Sequence, residues 1–335
     1  MGTQGDTDKL LAATERTVSW LLGELQPDGS LGPEFADLAC YQKAPLLLAR
    51  TGHARTADKL LEYIAETYQT RSGSFQNLPD APASTLGDYA GYADGWLAMT
   101  SQRVGRFDLA RPSWAHLRRF DHSRNGGFCL TAPFRGDGTD VIELLTTAHL
   151  GLTALYCGEL PLALSAGRAL RDFCSLQPEP ERRLYLRMND SGELITDFPE
   201  QARHLHVVEI GTPDQLWFFV GHPLVFLVQL ARATSSAEHM AAAHLETAQT
   251  YAAFALACGE TMTREHSSHQ VGRGAALLHW ATGKREHAEL AHVIAEQLLG
   301  SQSEAGTWLD DGPAHVRMDQ SIEAALCLHE IATLS

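Results

Sequence analysis

Short glycine-containing turns recur along the chain, and most are followed by an apolar stretch of helical length. The turns are LQPDGSLG (25–32), RSGSF (71–75), RNGGF (124–128), NDSGEL (189–194) and EAGTW (304–308). More charged segments lie between the apolar stretches, and their apolar residues recur every three or four positions, as in Leu60, Leu61 and Ile64. The pattern predicts pairs of helices in which one is amphipathic and the other is mostly buried.

Six such pairs account for the 335 residues. Repeats that each hide only one face must stack, and six of them without a polar capping unit at either end favour closure. We therefore predict an all-α fold, an (α/α)6 barrel or toroid of six outer–inner helical hairpins, as a single domain over 1–335. Strand-like alternation is confined to 183–210, where RLYLRMNDSGELIT predicts a small β-hairpin.

The segment 178–213 interrupts the fourth helix pair. Connections longer than about 12–15 residues in compact domains are usually functional. Because the connectivity places this insertion near the mouth of a closed barrel, we expect either a lid over the site or a contact in a homo-oligomer.

The turns DGSLG, NGGF and AGTW resemble the glycine–aromatic turns of the terpenoid cyclase and protein prenyltransferase α/α-toroids. The resemblance implies a toroid fold and a broad class of hydrophobic substrates. It does not extend to the zinc motif of the prenyltransferases, because Asp37 and Cys40 are one residue too far apart. The acid motif of the class II cyclases is also unmatched, since LDD (309–311) lacks its first Asp.

Composition and spacing exclude several other classes. The net charge is −15, from 26 basic and 41 acidic residues, and no basic cluster offers a footprint for nucleic acid. No apolar run reaches the 18–20 residues or so of a membrane span, and no secretory signal is recognisable. The six cysteines are scattered, which is typical of reduced thiols in a cytoplasmic protein. We expect no metal and no cofactor, because the histidines lack a third ligand at fixed spacing.

In a closed barrel the starts of the inner helices converge on one mouth, where their side chains line a central cavity. Five aspartates share the start position of the predicted inner helices: Asp37, Asp88, Asp140, Asp214 and Asp319. They are either N-caps, for which Asp is a preferred residue, or a ring of carboxylates around a ligand.

Polar and aromatic residues three and four positions further on face the same side of each helix. This set contains Cys40, Tyr41, Tyr92, Glu143, Trp217, Phe218 and Glu323. Buried Glu143 and Glu323 would have raised pKa values suited to a general acid; alternatively, they face outward or pair with Arg residues. Asp94 would line the cavity or pair with a Lys such as Lys43.

The remaining candidates have a catalytic and a structural interpretation each. Tyr41 and Tyr92 would stabilise cationic charge or serve as core aromatics, and Cys40 would be a nucleophile or a small buried residue. His149 and His222 would be general bases or core histidines. Trp96 and His269 complete the predicted substrate-binding residues.

From these residues we expect a cofactor-independent cyclase, isomerase or dehydratase acting on a hydrophobic small molecule, a terpenoid or polyketide, by acid–base catalysis. The fold and reaction type of linalool dehydratase-isomerases resemble this expectation. One alternative is a carbohydrate-active barrel enzyme (a glycosidase, lyase or sugar epimerase) that uses two carboxylates or a His pair. Another is a non-catalytic ring that binds a peptide or partner protein.

Overall fold

A computed structural model describes residues 4–78 and 89–334 of the chain. Over these ranges fourteen α-helices are present: α1 Gln4–Glu24, α2 Leu38–Tyr41, α3 Ala44–Arg50, α4 Ala54–Tyr68, α5 Tyr92–Val104, α6 Phe107–Leu117, α7 Leu144–Tyr156, α8 Leu160–Leu176, α9 Phe218–Ala233, α10 Glu238–Cys258, α11 Glu260–Thr263, α12 His269–Thr282, α13 Arg285–Ser301 and α14 Ala314–Leu334. Four short strands accompany them: β1 Ile142–Glu143, β2 Arg183–Tyr185, β3 Arg187–Met188 and β4 Val207–Glu209. The predicted all-α class is confirmed.

The described residues form two compact units. One is continuous in sequence, Phe120–Leu298, and the other is discontinuous, formed by Gly2–Arg119 with Leu299–Thr333. We call them the continuous unit and the discontinuous unit. The interpretation of 1–335 as a single domain stays a prediction.

In the continuous unit, helix α9 packs between α7 and α12, while α8 packs on α7 and α10 packs on α9. The side chain of Ile294 on α13 lies against Gly272 of α12. Helix α9 is buried on nearly every side, as its apolar sequence predicts, and tolerates Pro223 in its interior. These contacts confirm the outer–inner pairs expected from the repeat.

In the discontinuous unit, α3 packs on α4 and α5 packs on α6. The predicted apolar stripe of α4 is the buried one, with Leu60, Leu61 and Ile64 facing inward. The first inner helix is divided into α2 and α3, because Pro45 has no N–H to donate and occupies the first turn of a new helix.

The insertion 178–213 contains the β-structure expected there. Met188 and Leu194 pair across the Asn-Asp-Ser-Gly turn, which confirms the predicted hairpin. The strands themselves pair over longer distances in sequence, β1 with β3 and β2 with β4, both antiparallel. The insertion is thereby attached to the start of α7, since the Leu144 amide donates to the Leu186 carbonyl at 2.9 Å.

The five predicted helix-start aspartates do not behave alike. Asp37 is the N-cap of α2 and accepts from the Ala39 amide, as expected. Asp140 instead accepts from the loop amides of Arg135 and Gly136, and the cap of α7 is Glu143. Asp214 has a left-handed backbone (φ 56°) ahead of α9.

Asp319 lies inside α14, which begins five residues earlier at Ala314. The prediction of a common start position is therefore wrong for Asp140, Asp214 and Asp319, because local turns and the true helix starts displace them. Asp88 lies outside the described residues.

Candidate functional site

Two buried histidines meet in the continuous unit. His149 on α7 and His222 on α9 pack edge to face, with ring centroids 5.9 Å apart, and both side chains are buried. Both were candidates from the sequence, and the packing of α7 on α9 brings them together. Two imidazoles this close disfavour a doubly protonated state, so one is suited to act as a base while its neighbour holds a proton.

A third histidine lies next to the contact between α9 and α12. Gly221 of α9 is so close to α12 that an added Cβ would lie 2.4 Å from the Gln270 carbonyl carbon. His222 and His269 each adjoin one of these two contacting residues. His269 donates its Nδ1–H to the His266 carbonyl at 2.8 Å, which leaves Nε2 as its basic nitrogen. We call His149, His222 and His269 the histidine cluster.

Helix α12 adds buried polar groups to the histidine cluster. Gln270 and Arg273 are both buried, and the Arg273 guanidinium donates to Gln270 Oε1 at 3.4 Å. Arg273 was not among the candidates from the sequence, although an Arg among Gly and Ala on an apolar helix is a usable signal. Helix α12 therefore carries an amide and a guanidinium group in the interior, close in sequence to His269.

Glu143, the first candidate general acid, is fully buried at the start of α7. Its carboxylate accepts from the Leu145 amide at 3.0 Å and from the Thr146 amide at 2.6 Å. Burial raises the pKa of Glu143, although these two amides and the charge of Arg187 act in the opposite direction. Glu143 therefore combines the expected burial with a capping role.

The aromatic candidates of the continuous unit lie at the start of α9. Trp217 is fully buried and its amide donates to Ser267 Oγ at 3.4 Å. Phe218 packs on Phe219. Both lie within a turn and a half of His222, so the expected aromatic wall is on the helix that carries a histidine of the cluster.

In the discontinuous unit, buried Lys43 forms ion pairs with two of the predicted residues. Its ammonium contacts Asp319 Oδ2 at 2.9 Å and also bonds Glu323. Tyr92 and Trp96 place their rings 5.3 and 5.9 Å from the Lys43 nitrogen. Burial lowers the pKa of Lys43, but the two carboxylates outweigh it and hold the pKa well above its usual value. We call Lys43, Asp319 and Glu323 the lysine cluster.

Asp94 is buried and accepts from the Phe75 amide at 2.7 Å, which anchors the RSGSF turn. Burial raises its pKa to about 7, with the Phe75 amide acting in the opposite direction. A proton held near neutrality suits a general acid, and the same bond gives Asp94 a structural role. The pairing of Asp94 with Lys43 suggested by the sequence is not what the structure shows.

Tyr41 and Cys40 are placed as core residues. The Tyr41 hydroxyl accepts from the Leu31 amide at 3.0 Å, and its ring packs on Tyr63 and Tyr68. Burial, and then the charges of Asp37 and Asp319, raise the pKa of the Cys40 thiol. This environment opposes the thiolate that a cysteine nucleophile requires.

The fold also contains a surface cleft away from the predicted site residues. A half-open cleft of about 410 Å³ lies among α8, β2 and α10, and none of the predicted site residues lines it. Within 4–78 and 89–334, no three His, Cys, Asp or Glu side chains are grouped to hold a metal ion, and no helix is long and apolar enough to cross a bilayer.

No known protein-family model and no curated protein sequence matches the chain. Solved structures do match in fold. A D-mannose isomerase superposes with a TM-score of 0.70 at 12% identity, covering 99% of this chain and 100% of that one. An α-1,6-mannanase from Salegentibacter sp. HEL1_6 gives 0.64 at 16% identity, covering 97% and 99%.

The type II terpene cyclase MstE from Scytonema gives a TM-score of 0.59 at 13% identity, covering 98% of this chain and 99% of that one. At these identities the likeness shows the fold alone. The predicted (α/α)6 toroid class is confirmed, and this chain has the fold of the three enzymes.

Proposed function

We propose that the protein is a sugar isomerase that interconverts an aldose and its 2-ketose by proton transfer at the histidine cluster. The observation that carries the proposal is the buried, edge-to-face pair of His149 and His222 on adjacent helices. One imidazole removes the proton from C2 while the other gives a proton to the O1 carbonyl oxygen, forming a 1,2-enediol. Return of a proton to C1, with loss of the O2 proton, gives the ketose, so no electrons enter or leave.

The surroundings of the pair favour a hydroxylated substrate. Gln270 and Arg273 are buried amide and guanidinium groups on α12, and groups of these types form hydrogen bonds with sugar hydroxyls. A relative in fold is named a D-mannose isomerase, which makes mannose the first sugar to test.

Hydrolysis of a glycosidic bond is less well supported. A glycosidase needs one protonated and one ionised carboxyl facing each other. The close pair Asp319 and Glu323 shares the Lys43 ammonium, so both carboxyl groups are already engaged by one cation of the chain.

Acid-catalysed cyclisation or dehydration of a hydrophobic molecule is the second candidate. The observation that favours it is the complete burial of Glu143, which raises the pKa of its carboxyl. Its capping bonds to Leu145 and Thr146 place both oxygens in use, so we rank this reaction below isomerisation. The lid role of 178–213 remains a proposal under either function.

The test measures deuterium uptake from the solvent. Mannose and other aldoses are incubated with the full chain in D2O, and NMR follows both the formation of ketose and the incorporation of deuterium. The wild type should produce ketose and incorporate deuterium at C1 or C2. His149→Asn and His222→Asn should each reduce the rate by about 10²- to 10⁴-fold, the usual contribution of a general acid or base. His292→Asn, an exposed histidine on α13, is the matched control and should keep the full rate.

The outcomes separate the two candidates. Full activity in both His149→Asn and His222→Asn would refute the proposed mechanism. Absence of aldose turnover, together with conversion of a terpenoid that is lost in Glu143→Gln, would favour the second candidate instead.

A further inference from the structure

Arg187 of the insertion lies at the N-terminal end of α7, the helix that carries His149. Its strand β3 pairs with β1 so that Arg187 is directly opposite Glu143, the cap of α7. Facing residues of an antiparallel pair point to the same side of the sheet. His149 is six residues beyond Glu143, about 9 Å along the helix axis.

One amino group of Arg187 is fixed in place by His206. Arg187 Nη1 lies 3.1 Å from His206 Nε2, and since a guanidinium can only donate, this nitrogen of His206 accepts. Burial, and then the charges of Arg187 and His204, lower the pKa of His206 to about 4, so the ring is neutral as this bond requires. Phe198 stacks on the His206 ring at 4.7 Å.

The Nε of the guanidinium is buried and bonds no acceptor in the part of the chain that the structure describes. Within the same ranges no carboxylate lies in ion-pair distance of Arg187. The carboxylate of Glu143 is turned to the amides of Leu145 and Thr146. By contrast, Arg183 and Arg203 of the same insertion both pair with Glu209.

The Nε and Nη2 edge of a guanidinium matches two oxygens of a carboxylate or phosphate. Glu143 lies opposite Arg187 and interacts with its charge, but it is not in ion-pair contact with the guanidinium. A partly buried cation without such a contact is stabilised more by an anion than by a neutral hydroxyl. We infer that Arg187 binds an oxyanion of the substrate, and that the sugar is therefore acidic, a uronate or a sugar phosphate. That the ligand is a sugar rests on the proposed function, whereas that it carries an oxyanion is inferred from Arg187 alone.

The test compares a hexuronate, an aldohexose 6-phosphate and an unmodified aldohexose as substrates of the full chain. The wild type should prefer one of the acidic sugars, and which of the two it prefers identifies the anion. Arg187→Gln should raise KM for that sugar about 10- to 150-fold, since a hydrogen bond to a charged group contributes about 1.5–3 kcal/mol. The variant should change kcat much less than KM, and KM should rise much less for the unmodified sugar than for the acidic one.

Two variants control for charge and folding. Arg187→Lys keeps the charge but loses the two-pronged geometry, so its KM should lie between those of the wild type and Arg187→Gln. Arg182→Gln removes an exposed arginine of the same insertion that pairs with Glu179, and it should behave as wild type. The preference of the wild type among the three sugars needs no variant and stands even if the Arg187 variants fail to fold.

The outcomes distinguish this inference from the proposed function. Isomerisation that depends on His149 but favours the unmodified sugar would overturn the acidic substrate and leave the isomerase standing. An equal loss on neutral and acidic sugars in Arg187→Gln would also overturn the inference. If no sugar is isomerised, but a hexuronate or inorganic phosphate raises the Tm of the wild type and not of Arg187→Gln, the oxyanion site stands and the isomerase fails.

Discussion

Lys43 is a buried cation and Arg187 a half-buried one, and the surroundings of the two differ. Lys43 is met by the carboxylates of Asp319 and Glu323 and by the rings of Tyr92 and Trp96. Arg187 is met by a neutral imidazole, and its remaining edge has no carboxylate among the described residues. A cation saturated by its own chain contributes to the fold, whereas one with an open edge is available to a ligand.

The two glutamates predicted as general acids also differ in their partners. Glu323 is committed to an ion pair in the discontinuous unit, whereas Glu143 is committed to the amides of α7 in the continuous unit. The buried pair of His149 and His222 carries the proposed chemistry instead.

The largest effect should follow from removing the cation of the lysine cluster. Lys43→Met leaves two carboxylates without their counter-charge, and we expect a loss of about 3–5 kcal/mol in the free energy of unfolding. Urea denaturation at pH 7 measures it. Lys284→Met removes an exposed lysine that bonds Gln249 and should change stability by less than about 0.5 kcal/mol.

A second measurement shows whether the loss is electrostatic. In Lys43→Met/Asp319→Asn/Glu323→Gln both carboxylates are neutral, and much of the lost stability should return. A triple variant no more stable than Lys43→Met would mean that packing, and not charge, explains the loss.

Asp94 extends the comparison to a buried carboxyl group that has no cation in hydrogen-bond contact among the described residues. Because burial raises its pKa from 3.8 to about 7, the folded protein keeps a proton that the unfolded chain releases. Stability should therefore fall as the pH rises from about 4 to about 7 and then level off. At about 1.4 kcal/mol per pH unit the total is about 4 kcal/mol.

The variant Asp94→Asn should remove this fall, as measured by urea denaturation across pH 4–8. His116 Nε2 lies 3.8 Å from Asp94, and burial lowers the pKa of His116, which makes stability rise with pH. The comparison is therefore made in a His116→Gln background. An equal slope with Asp and with Asn at position 94 would contradict the buried proton.

The sequence predicted the helix pairs because their signals are local. The stripe of Leu60, Leu61 and Ile64 and the glycine turns need no knowledge of distant contacts. Helix starts were less predictable: Asp319 resembles a cap, but α14 begins earlier, and Pro45 divided the first inner helix.

The site was predictable only in part, since side-chain partners come from distant segments. His149 and His222 were recognised as candidates, but their contact depends on the packing of α7 against α9. Arg187 was missed because the sequence does not show that its Nε has no acceptor among the described residues. The role of Lys43 became visible only when α14, almost 280 residues away, supplied Asp319 and Glu323.

Two histidines of the cluster adjoin a close backbone contact between α9 and α12, which predicts a smaller but distinctive effect. In Gly221→Ala the new Cβ would lie 2.4 Å from the Gln270 carbonyl carbon, so α9 and α12 must separate. We expect a loss of about 1–3 kcal/mol in the free energy of unfolding, as for other overpacked cores. Because His222 adjoins the contact, aldose isomerisation by the folded variant should fall as well.

Gly300→Ala is the matched control, since nothing lies within 4 Å of its added Cβ on α13. There the same substitution should stabilise the helix by up to about 1 kcal/mol, because Ala has the higher helix propensity. Urea denaturation of the two variants side by side therefore gives opposite signs if α9 and α12 are in backbone contact at Gly221. A stabilised Gly221→Ala protein with full activity would mean that a methyl group fits between α9 and α12. The position of the histidine cluster would then not depend on this contact.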